Sequence, residues 1–243
     1  AGGPGRRGAG GAAAGGRGGG PGRGGGPRRP RPPPPRDRVQ WLAKPLLMPL
    51  LAADVVTSGA DIEPAERTVL LASLGAATVG DVLLIDPDDD RRLVAGASAF
   101  AVMQTGYARL WWRRGARPVK ALAVQRAAAW LGAALLMRAR TPSVAAPLTA
   151  YGATLATAGV LASDPELAPE ALNVAGINVP DGDPRSRLAL GALLFTVSDG
   201  LIVARRVFAR STRARRRTEA VVLATYTAAQ YFLADPRAHA RRH

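Results

Sequence analysis

The chain has 243 residues, 47% of them hydrophobic, and a formal net charge of +15 with no cysteine. The lack of cysteine excludes disulfides, thiol catalysis and thiolate metal sites. The averages conceal two unlike parts, because residues 1–38 are almost all Gly, Arg, Pro and Ala while the apolar residues crowd into the stretch from Val39 onward.

Residues 1–38 carry Arg6, Arg7, Arg17, Arg23, Arg28, Arg29, Arg31, Arg36 and Arg38 against Asp37 alone. Such a segment cannot bury enough apolar surface to offset the entropy of ordering it, so a disordered tail is expected. It has no Phe or Tyr on which bases could stack, and no nucleic-acid partner is expected. It also lacks the apolar core of a signal peptide. Pro32 to Pro35 suit a polyproline ligand and the arginines suit anionic lipid. The plainest reading is a low-complexity extension.

Seven apolar runs lie near 41–56, 67–85, 93–112, 119–137, 144–161, 188–208 and 219–233. Each has roughly 15 to 20 residues, close to the length that crosses about 30 Å of hydrocarbon at about 1.5 Å per residue. Between them stand residues that helix interiors avoid: Asp86-Pro87-Asp88-Asp89-Asp90, Arg113-Arg114, Arg138 with Thr141-Pro142, and Asp181-Gly182-Asp183-Pro184. A soluble helix would show a recurring polar face, and Ala127 to Met137 shows none. The sequence therefore predicts an all-α, polytopic transmembrane helix bundle of about seven helices over 39–234, with 235–243 as a short basic tail.

Arg210, Arg213, Arg215, Arg216 and Arg217 make the connection between the last two runs the most basic, which places it in the cytoplasm. An odd number of crossings then puts the N-terminal tail on the same side and the C-terminus on the other. Arg113, Arg114, Arg117 and Lys120 fall outside, against this rule.

An ionisable group at the centre of a membrane helix costs about 2.5 to 3.5 kcal/mol on insertion scales, so each asks for an explanation. Asp81 and Asp199 lie deepest, while Lys44 and Asp54 lie near the two ends of the first run. Two carboxylates sharing one site can divide acid and base roles between them, because burial and like charge separate their proton affinities. The competing reading is a satisfied interhelical hydrogen bond, or a pair with Lys44. Gln104, Tyr107, Tyr151, Tyr226 and Gln230 are the other polar groups inside the runs. Tyrosines near helix ends usually belong to an interfacial belt, together here with Trp41, Trp111 and Trp112, which accounts for Tyr231 well and mid-run Tyr151 poorly. His239 and His243 both lie beyond the last run, so no histidine-ligated metal site is expected within the bundle.

Taken in order, Lys44-Pro45-Leu46, Gly80-Asp81, Phe100 to Tyr107, Gly191-Ala192 with Phe195-Thr196-Val197-Ser198-Asp199, and Tyr226 with Ala229-Gln230 resemble the YhhN family of membrane proteins. The resemblance covers roughly residues 41–233. It implies a lysoplasmalogenase-like hydrolase in the cell membrane, acting on a lysophospholipid-type substrate without cofactor or metal. On that resemblance Asp81 and Asp199 are the catalytic pair, and Lys44, Gln104, Tyr107, Tyr151, Ser198, Tyr226 and Gln230 bind the substrate. Two departures stand out: the family's additional helix before the Lys-Pro motif is replaced by the Gly/Arg/Pro tail, and its third-helix His is Gln104 here. A non-enzymatic lipid or solute carrier or sensor, or an inactive family member, are the alternatives.

Overall fold

The computed structural model describes residues 35–85, 89–175, 177–208 and 211–241, with side chains from Leu46 onward. Most of the expected tail, and the side chain of Lys44, lie outside the described residues. Each apolar run folds as one α-helix: α1 (Pro35–Ser58), α2 (Pro64–Leu83), α3 (Asp90–Arg113), α4 (Lys120–Arg140), α5 (Pro142–Ala162), α6 (Leu188–Phe208) and α7 (Thr212–Leu233). The punctuating residues set the ends. Pro64 and Pro142 open α2 and α5, where a missing N–H costs nothing. The Asp89 carboxylate accepts from the N–H groups of Arg91 and Arg92 at 2.8 and 3.1 Å to cap α3, and Ser211 caps α7 by accepting from Ala214 at 3.2 Å.

The helices run alternately up and down. Neighbours α1–α2, α2–α3, α4–α5, α5–α6 and α6–α7 pack together, and α3 also packs on α5. This pairing leaves α4 at the periphery, touching mainly α5 and burying only Leu122 and Met137. Small residues allow close approach: a Cβ on Gly80 would sit 2.7 Å from the Phe100 ring, and one on Gly191 would sit 3.0 Å from Leu233.

The stretches Pro142–Ala162 and Pro184–Phe208 are long and apolar enough to cross a membrane. Of these windows 28% and 33% are fully buried within the chain, and most of the remaining residues of Leu188–Phe208 are half-buried. Val102, Val124 and Leu135, on other helices, are at least 60% exposed.

The bundle has two unlike ends. At one, where α6 turns into α7, Arg206 pairs with Asp90, and Arg205 pairs with Glu219 at 3.0 Å. At the far end, residues 163–187 form a small cap of two 3-10 turns and a hairpin in which Asn173 pairs with Asn178 and Val174 with Ile177. The C-terminal stretch, short and basic in sequence, folds back into this end. Asp235, Pro236, Ala238 and His239 are buried there. The Arg114 guanidinium holds the stretch, donating to Glu66 at 2.7 Å, to the Ala238 carbonyl at 2.8 Å and to the His239 carbonyl. Arg185 donates to the Ala240 carbonyl at 3.0 Å.

Two measurements test the C-terminal latch. Arg114→Met strands Glu66, whose side chain is only 11% exposed, and should lower stability by about 2–3 kcal/mol, with Arg114→Met/Glu66→Gln recovering part of the loss; thermal unfolding in detergent reads both. His239 carries its proton on Nε2, because that atom lies 2.8 Å from the Leu233 carbonyl, which can only accept; Nδ1 is buried without a partner. Burial first, and the nearby Arg114 charge second, push the imidazole down to about 4. Below the usual value near 6.5 the unfolded chain takes up a proton that the folded chain refuses. Stability should therefore fall, by about 3 kcal/mol at most, as pH drops from about 6.5 to 4, and His239→Gln should flatten that slope.

Candidate functional site

Three rings form a layer across the middle of the bundle. Phe100 of α3, Phe195 of α6 and Tyr226 of α7 meet edge to face, with centroids 6.0 Å (Phe100–Phe195), 5.9 Å (Phe100–Tyr226) and 5.6 Å (Phe195–Tyr226) apart. This is the separation at which the positive edge of one ring meets the negative face of the next. Gly80 lets α2 lie directly on Phe100, and that approach brings the next residue, Asp81, to the cluster.

On the arginine-rich side of the rings lie the two carboxylates. Asp81 is 4% exposed and accepts a hydrogen bond from the Tyr226 hydroxyl at 2.9 Å. Asp199 follows Phe195 by one helical turn toward the same end and accepts from the Tyr151 hydroxyl of α5. It is half-buried, and therefore the more open of the two.

On the far side of the rings is a second polar group. Gln230, one turn beyond Tyr226, accepts from the Tyr107 hydroxyl at 3.0 Å through Oε1, and its Nε2 lies 3.0 Å from Met103 Sδ and 3.4 Å from the Tyr226 oxygen. Tyr107, Gln230, Tyr226 and Asp81 thus form one continuous chain across α3, α7 and α2. Gln104, one turn beyond Phe100, is 2% exposed, and its Nε2 has no hydrogen-bond partner among the described residues.

Of the residues singled out in the sequence, the structure joins Asp81 to Tyr226, Gln230 and Tyr107, and Asp199 to Tyr151. Ser198 is buried and spends its hydroxyl on the Val222 carbonyl at 3.2 Å, a bond that ties α6 to α7. Hydrogen-bonding capacity does not single out the walls of the site: Phe100, Phe195 and Met103 are as central as the acids. The available signal is Gly80, a residue without a side chain immediately before an acid in an apolar run. Arg126 is also absent from that set. It stands half-buried in α4, with its guanidinium carbon 3.9 Å from where a Gly159 side chain would begin.

An all-α bundle with two helices fit to cross a bilayer, and with tyrosine-held carboxylates flanking an aromatic layer, defines a helical protein with a polar interior site. A model of the YhhN family matches residues 39–236, most of the chain, and the chain belongs to that family. No curated protein and no solved structure matches it.

An orphaned buried donor costs its full desolvation. Replacing Gln104 by Leu, of similar volume, should therefore leave the fold intact and raise stability by about 1–2 kcal/mol, measured by thermal unfolding in detergent.

Proposed function

We propose that this chain is a multi-pass enzyme of the cell membrane that hydrolyses the vinyl ether bond of a lysoplasmalogen, giving a fatty aldehyde and a glycerophospho-headgroup. The observation that supports this most is that each of the two aspartates placed deep in the helices accepts a hydrogen bond from a tyrosine of another helix. Family membership supports the reading, as do the two apolar spans. The arginine-rich end, with Arg213, Arg216 and Arg217, is assigned to the cytoplasm, together with the tail.

The chemistry runs in three steps. A carboxylic acid donates its proton to the vinyl carbon remote from oxygen, and the alkene π electrons form the new C–H bond. The carbon attached to oxygen becomes an oxocarbenium ion, stabilised by the second carboxylate and by the ring faces. Water adds to that carbon and loses a proton to a carboxylate, and the resulting hemiacetal collapses to aldehyde and alcohol. Paired carboxylates serve glycoside hydrolysis by the same logic. Asp199, the more open acid, is assigned the proton transfers; Asp81, buried against Tyr226, is assigned the cation. Tyr151 and Tyr226 position the two carboxylates. Lys44 is assigned to the phosphate of the substrate as a point charge.

The test is aldehyde release by purified protein from a lysoplasmalogen and from its saturated alkyl ether analogue. Release from the vinyl ether alone is expected. Asp81→Asn and Asp199→Asn should each lower kcat by at least about 100-fold, and Tyr151→Phe and Tyr226→Phe by about tenfold. An Asp199→Asn protein that folds and turns over at the normal rate would end this mechanism.

A further inference from the structure

The first turns of α7 are rich in arginine. Arg213, Arg216 and Arg217 line one groove of about 480 Å³, with Thr212 and Ala220 completing its walls. Their spacing of three and four residues brings their guanidinium groups to one side of the helix. Glu219, three residues on from Arg216, is already engaged by Arg205 at 3.0 Å, and Asp90 by Arg206. Among the described residues these three arginines form no ion pair. Three exposed cations around one groove, with Asp90 and Glu219 already paired elsewhere, make a site for an anion.

The surface next to the groove identifies the kind of anion. Below Arg217 the same helical face continues with Ala220, Val221 and Ala224, all exposed, and ends at exposed Tyr231. A soluble phosphate compound would use the arginines and leave this apolar strip unused. An amphipathic ligand would use both. Arg matches phosphate oxygens with a planar fork of donors, and a chain lying on Val221 and Ala224 would be sheltered from water.

We propose that Arg213, Arg216 and Arg217 bind the phosphate headgroup of an anionic membrane phospholipid, whose acyl chain lies along Val221 and Ala224. The site is on the outer surface of α7 and is separate from the aspartate pair. It rests on the membrane placement proposed above and not on the hydrolytic chemistry, so its test does not use activity.

The experiment titrates the full chain, purified in detergent at low salt, with phosphatidylglycerol and with phosphatidylcholine of identical acyl chains, and follows the unfolding temperature. Phosphatidylglycerol should stabilise the protein at lower concentration, and raised salt should erase the difference. The R213Q/R216Q/R217Q variant retains the tail arginines, so any change belongs to the groove; its apparent affinity for phosphatidylglycerol should fall at least about tenfold. If that variant fails to fold, R216Q and R217Q alone should each weaken the lipid, while R216K, which keeps the charge, should weaken it less. Equal stabilisation by the two lipids, or a triple variant that keeps the preference, overturns the proposal. Inorganic phosphate reproducing the shift without lipid overturns the identification of the ligand as a phospholipid.

Discussion

A polar group inside an apolar bundle has to be satisfied by another side chain, and that constraint organises the centre of this protein. Tyr226 and Gln230 of α7 reach Asp81 on α2 and Tyr107 on α3. Those helices do not pack closely on α7 along their backbones, whereas α2 and α3 pack on each other and α6 packs on α7. The hydrogen bonds and the Phe100–Phe195–Tyr226 rings therefore bridge two halves of the bundle across a gap too wide for backbone contact. Such a centre is held by long side chains. Small-residue contacts supplement it: Gly80 brings α2 onto the Phe100 ring, and Gly191 brings α6 onto Leu233 of α7.

The two ends solve their charge problems differently. At the far end arginines meet acids and carbonyls: Arg114 meets Glu66 and the C-terminal stretch, and the Arg117 backbone N–H donates to Asp164 while its guanidinium lies 4.3 Å over the Trp112 ring. Fixed pairs like these hold the loops and the C-terminal segment in place. At the opposite end the acids Asp90 and Glu219 are used by α6, and the arginines of α7 extend outward. Among the described residues the same residue type thus closes one end and leaves arginines of α7 facing outward at the other.

Much of this was legible in the sequence, for physical reasons. Run length and punctuation locate helices because the breaking residues between runs end them, and the observed helices coincide with the predicted runs, extending beyond several by a turn or more, while two of them are long and apolar enough to cross a membrane. The starting point of α1 at Pro35 falls inside the stretch expected as tail, since a short proline-rich entry gives no periodic signal. Asp81, Asp199, Tyr151, Tyr226 and Gln230 could be chosen because polar groups among apolar ones are conspicuous. Their pairing was not legible: which tyrosine meets which acid depends on the rotation of each helix about its own axis, and run boundaries do not fix that. The far-end cap and the burial of His239 were equally hidden, because their stability comes from carbonyls and one guanidinium brought together from distant parts of the chain.

Gln104 shows how the geometry changes the weight of a sequence departure. An amide cannot relay a proton near neutral pH, so a glutamine where the family pattern has histidine looks like a loss of acid–base capacity. Yet position 104 lies one turn beyond Phe100, on the far side of the aromatic layer, while Asp81 and Asp199 lie on the arginine-rich side. On the proposed mechanism every proton moves between carboxylate, vinyl carbon and water on that arginine-rich side. The Gln104 amide nitrogen donates to neither carboxylate among the described residues. What the amide retains is an unpartnered donor in a buried position, able to hydrogen-bond an oxygen of a bound molecule but not to exchange a proton with it.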